Sequence, residues 1–125
     1  MNELNYTSLP LSRKLVENGI DLKTEAVWVL CSDGLSGSKY DLIQRPLFPY
    51  KEQYPAPSFA ELWRELPVSI ERDGITYNKT LKGFRDVNVA TYESLESRTV
   101  ELFLSANPSD ALAELLIWVK GREKG

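Results

Sequence analysis

At Pro67 the chain changes its hydrophobic period, and that change limits what it can fold into. Before it, in "SFAELWRELP", Phe59, Leu62, Trp63 and Leu66 recur at i, i+3, i+4 and i+7, one apolar stripe of a helix, with Glu61, Arg64 and Glu65 on the other side. Ser58 and Glu61 have the S-x-x-E spacing in which each side chain bonds the other's backbone N–H, and Pro67 stops the helix. The helix is only about two turns long, so packing must hold it. After the proline, in "VSIERDGITY", the period is two: Val68 and Ile70 lead into an Asp73-Gly74 turn, and Ile75 and Tyr77 follow it. A helix running directly into a hairpin calls for an α+β fold.

The flanking segments extend this pattern. "SLPLSRKLVEN" reads as a helix, with Ser8 as cap, Pro10 in the first turn, and Leu11, Leu15 and Val16 on one face. Gly19 ends it in the left-handed conformation, and Ile20 folds back as the hydrophobic contact. "AVWVLCS" is a strand covered on both faces, "DGLSGS" a loop, and "KYDLIQ" its hairpin partner. "RPLFPYKEQYPAPS" carries four prolines, which makes it an extended connector. "DVNVATY" and "RTVELFL" are two further strands joined by "ESLES"; in the second, Val100, Leu102 and Leu104 share a face. The last helix starts at Asn107 as cap with Pro108 at its first position and Asp110 at its positive end. Leu112, Leu115, Leu116 and Val119 form its inward stripe, and Ala111, Ala113, Ile117 and Trp118 widen that stripe to most of the circumference. The expectation is a single domain over residues 1–125, with 121–125 as a frayed tail. It holds a largely antiparallel sheet of about six strands, in the order helix, two strands, helix, four strands, helix, with the three helices mainly on one face.

Histidine is absent, which removes Ser-His and Cys-His nucleophiles, histidine metal sites and histidine acid–base work. The single cysteine, Cys31, allows no internal disulfide and no multi-cysteine zinc site; without a base or a neighbouring cation it reads as a small buried hydrophobe. "SDGLSGSKYD" lacks the G-x-x-x-x-G-K-[ST] order of a phosphate-binding loop. The carboxylate pairs Glu61/Glu65, Glu93/Glu96 and Glu71/Asp73 fall on exposed faces or turns. No catalytic, cofactor-binding or metal-ligating residue is therefore assigned, and the expectation is a protein that is not an enzyme and carries no cofactor. The first residues show no basic region leading into an apolar run, and "ALAELLIWV" is too short to span a bilayer, so the expected location is cytoplasmic, without membrane contact.

Two sets of residues are candidates for contact with partners. Trp118 and Ile117 lie on the flank of an already saturated helix, and Phe48, Tyr50 and Tyr54 sit in the proline-rich connector; aromatics of this kind are enriched at protein interfaces. They point to a protein partner or to self-association. The second set, Tyr77, Lys79, Lys82, Phe84 and Arg85, interleaves bases with aromatics as single-strand binders do. A net charge of −3 and the flanking Asp73 and Asp86 weigh against nucleic acid.

The three segments "SLPLSRKLVENGIDLKTE", "PAPSFAELWRELP" and "NPSDALAELLIWV" together resemble a group of small proteins from gut bacteria and their bacteriophages or mobile elements. That resemblance implies an accessory protein of a phage or mobile genome and carries over no functional residue. The functional expectation is a non-enzymatic protein–protein interaction module, with nucleic-acid binding through Tyr77–Arg85 as the alternative and a histidine-free carboxylate enzyme as a third reading.

Overall fold

Two antiparallel sheets, not one, organise the chain. The computed structural model describes residues 3–32, 38–47 and 52–124. A 3₁₀ turn at Glu3–Asn5 precedes α1 (Leu9–Glu17), β1 (Ala26–Ser32), β2 (Ser38–Gln44), β3 (Gln53–Pro55), α2 (Phe59–Glu65), β4 (Ser69–Arg72), β5 (Ile75–Phe84), β6 (Val87–Glu93), β7 (Phe103–Ser105) and α3 (Pro108–Lys124). The first sheet has the order β2-β1-β3 and the second β4-β5-β6-β7. The fold is α+β, with seven strands among the described residues, one more than the sequence suggests.

The extra strand comes from the connector. Residues 53–55 pair with β1, placing Tyr54 opposite Trp28 and Pro55 opposite Val27. Pro55 has no N–H to donate, and an edge strand tolerates that loss. "DGLSGS" and the first half of the connector, including Phe48 and Tyr50, fall largely outside the described residues, as does the side chain of Cys31.

Local signals account for most element ends. Ser58 and Glu61 form the reciprocal cap: Glu61 N donates to Ser58 Oγ at 3.2 Å and Ser58 N donates to Glu61 Oε1 at 2.8 Å. Gly19 sits at φ 74°, with Gly19 N on Val16 O and Ile20 N on Leu15 O, both 2.9 Å. Asp73 and Gly74 both have positive φ (54° and 79°), the mirror-image turn that suits a two-residue hairpin. A second hairpin turns at Arg85-Asp86, with Arg85 at φ 50°. The Asn107 cap also forms, its Oδ1 accepting from Ser109 N at 2.9 Å. Ser8 differs: its side chain caps nothing, and its backbone N–H instead donates to Asp110 Oδ1 at 2.7 Å. One carboxylate in the first turn of α3 thereby serves the start of α1.

The main core lies between the helices and one face of the second sheet. Leu15, Leu62, Leu66, Tyr77, Ala90, Tyr92, Leu112, Leu115, Leu116 and Val119 are all buried there. As the composition of α3 requires, its alanines and leucines are shielded around most of the helix. A smaller cluster joins Ala26, Trp28 and Ala56 to Tyr6, Leu9, Tyr40, Leu42 and Tyr54 under α1. Thr7, fully buried, ties these parts together. Its N–H and hydroxyl both donate to Pro57 O at 2.8 Å, and its carbonyl accepts from Trp28 Nε1 at 2.9 Å.

Candidate functional site

Among the described residues, helices cover the second sheet on one face only. Its register puts Leu81, Ala90 and Phe103 in one row on the helix side, and Lys82, Val89 and Leu104 in the adjacent row on the other side. Phe84 and Val87 pair in the next outward row. Phe84 and Leu104 are each 59% exposed and Leu102 is 50% exposed, with Val87 and Val89 half-buried between them. Lys82 Nζ meets Glu93 Oε2 at 2.8 Å and closes one side of this apolar corner with a neutral pair. Thr91 fills the middle of the face, its hydroxyl donating to Glu101 O at 2.7 Å.

This arrangement divides the basic and aromatic residues of "YNKTLKGFR". They lie on one continuous strand and its turn, so the period of two sends them to opposite faces. Tyr77 points inward and is 7% exposed, within the core. Lys79 also points inward, to the end of α2. Its ammonium donates to Trp63 O at 2.6 Å and Leu66 O at 3.2 Å and lies 4.5 Å from the Trp63 ring centre. It neutralises the negative helix end and covers the indole. Lys82 and Phe84 point outward, and Arg85 occupies the exposed turn.

The other candidates are distributed across the molecule. Ile117 and Trp118 are half-buried and pack on the main core, with the Arg122 guanidinium 4.9 Å over the Trp118 ring. Tyr54 stands beside Tyr40, ring centres 6.1 Å apart and tilted by 46°, and Arg13 covers both at 5.5 and 4.8 Å. Tyr40 donates its hydroxyl to Glu52 Oε1 at 2.7 Å. That bond raises the Tyr40 pKa above its ordinary value, and the contact with Tyr40 raises that of Arg13. Tyr54 thus belongs to a folded cation–aromatic stack across α1 and β3.

Among the described residues no group of three or more His, Cys, Asp or Glu converges as a metal site would require. Nor is any helix of the described residues long and apolar enough to cross a membrane.

Of Val100, Leu102 and Leu104, expected on one face, Leu102 and Leu104 are exposed together, whereas Val100 packs against the main core with Phe103, because only Phe103–Ser105 of this run is strand and the period of two does not reach back to Val100. Comparison with known proteins gives no match: no family model fits the chain, and neither a curated protein nor a solved structure is found similar to it.

Proposed function

We propose that this protein is a non-enzymatic interaction module that binds a protein surface, of another protein or of a second copy, through the open face of the second sheet. The observation that carries this reading is the corner formed by Phe84, Val87, Val89, Leu102 and Leu104, apolar side chains gathered on a face that no helix of the described residues covers. Contiguous exposed apolar area rimmed by polar residues is the mark of a docking surface. The Lys82–Glu93 pair supplies such a rim with no net charge, which suits a neutral protein partner better than a phosphate backbone. An accessory role in a phage or mobile genome is part of this proposal and rests on the sequence pattern of the three helical segments alone.

The test is a photo-crosslinking amino acid placed at position 84 or 104, with position 118 for comparison, combined with the solution mass over a range of concentrations. Adducts from 84 and 104, lost when Leu102 and Val89 are replaced by Asp, support the reading. Adducts from 118 alone move the interface to α3. Saturable, salt-dependent binding of single-stranded DNA or RNA, abolished by Arg85→Ala, establishes the alternative instead.

A further inference from the structure

A second place, remote in chemistry from the open sheet face, is a cleft between the end of α1 and the first sheet. Its volume is about 480 Å³ and its lining includes Val16, Gly19, Ile20, Asp21, Arg45 and Pro55. Opposite charges face it from different elements without pairing with each other.

Arg45 supplies the positive side and is held in place before any ligand arrives. Its Nε donates to Thr24 O at 2.6 Å and its Nη2 to Thr24 Oγ1 at 3.0 Å. Thr24 is buried and its own hydroxyl donates to Ala26 O at 2.6 Å, so the anchor is rigid. These bonds use one edge of the guanidinium. The end-on edge, formed by Nη1 and the second hydrogen of Nη2, has no partner among the described residues, and its two parallel N–H groups match the two oxygens of a carboxylate. The negative side is Asp21, exposed and without a cation partner among the described residues, together with the C-terminal end of α1 at Val16–Gly19, where helix carbonyls concentrate partial negative charge. Val16, Ile20 and Pro55 supply the apolar part of the lining, beside the polar Gln53.

We infer that this cleft binds a small zwitterion with an aliphatic body, of the class of the free amino acids. The carboxylate lies on the free edge of Arg45, the ammonium on Asp21 and the end of α1, and the aliphatic chain against Val16, Ile20 and Pro55. A simple anion meets the repulsion of Asp21, and a simple cation that of Arg45; only a ligand carrying both charges satisfies both sides.

An NMR titration of the full chain with L-leucine tests this, observing the amides of Gly19 and Ile20 and the Arg45 Nε–H. Saturable shifts at all three are expected. Leucinamide, which lacks the carboxylate, and N-acetyl-leucine, which lacks the ammonium, are expected to bind about tenfold more weakly or worse. Arg45→Gln and Asp21→Asn each weaken L-leucine by about the same factor while leaving the spectrum dispersed. Shifts that stay linear through the millimolar range, or binding of leucinamide or N-acetyl-leucine as tight as that of L-leucine, overturn the inference. Should Arg45→Gln fail to fold, the derivative series on the unmodified chain decides alone.

Discussion

Replacing Tyr92 by Phe should make the protein less stable at pH 8 and more stable near pH 12. Tyr92 is fully buried in the main core, and its hydroxyl donates to Pro67 O at 2.8 Å, tying β6 to the end of α2. Burial first, and the charge of Glu123 second, push its pKa from 10.0 up to about 12. A raised folded-state value means that neutral Tyr92 costs nothing below pH 10, where both states hold the proton. Between pH 10 and pH 12 only the unfolded chain ionises, and stability falls. With about 1.36 kcal/mol for each unit, the loss reaches at most about 2.7 kcal/mol by the upper end of that window. Tyr92→Phe keeps the ring, removes the titration, and gives up a hydrogen bond of about 1 kcal/mol. The two stability curves therefore cross near pH 11. Urea unfolding followed by tryptophan fluorescence at several pH values measures this, and the other five of the six tyrosines cancel in the difference between variant and parent. Parallel curves from pH 8 to the alkaline limit would refute the argument, since they mean that the phenol titrates alike in both states.

Lys79→Met should destabilise the fold by about 1–2 kcal/mol, from the lost bonds to Trp63 O and Leu66 O and the indole contact, whereas Arg85→Ala at the exposed turn should stay within about 0.5 kcal/mol; chemical denaturation distinguishes them. Ser58→Ala removes half of the α2 cap and should cost about 1 kcal/mol by the same measurement. Lys82→Ala breaks a half-exposed pair and should cost less than about 1 kcal/mol, an effect that shrinks further in high salt.

Elements whose ends are fixed locally are legible in the amino-acid sequence. The Ser58–Glu61 box, the Gly19 stop, the Asp73-Gly74 turn and the Asn107 cap need only neighbours along the chain, and each forms as expected. What is not legible depends on distant partners. The pairing of Gln53–Pro55 with β1 is a tertiary event that the prolines conceal. The division into two sheets follows from it, because β1 is flanked on both sides by its own partners and is closed to the later strands. In "RTVELFL" the apolar run suits either face, and the register with β6 alone decides that Phe103 turns in while Leu104 turns out. Lys79 reads as a surface base because nothing near it in the chain announces that α2 ends above it. The same ambiguity hides the proposed docking face: its members come from three strands and the residue before the last of them, and no single segment contains enough of them to stand out.

The bond from Ser8 N to Asp110 Oδ1 spans 102 positions, and Asn107 Nδ2 to Tyr6 O and Ser109 Oγ to Asn5 O span 101 and 104. The start of α1 therefore lacks its carboxylate until the first turn of α3 is in place. During synthesis the earliest helix must wait, open at its leading end, while both sheets are made. Contacts of this range slow folding, because a long loop must close before they contribute. The locking of α1 onto α3 is thus expected among the last steps of folding, and removing Asp110 should accelerate unfolding more than it slows refolding.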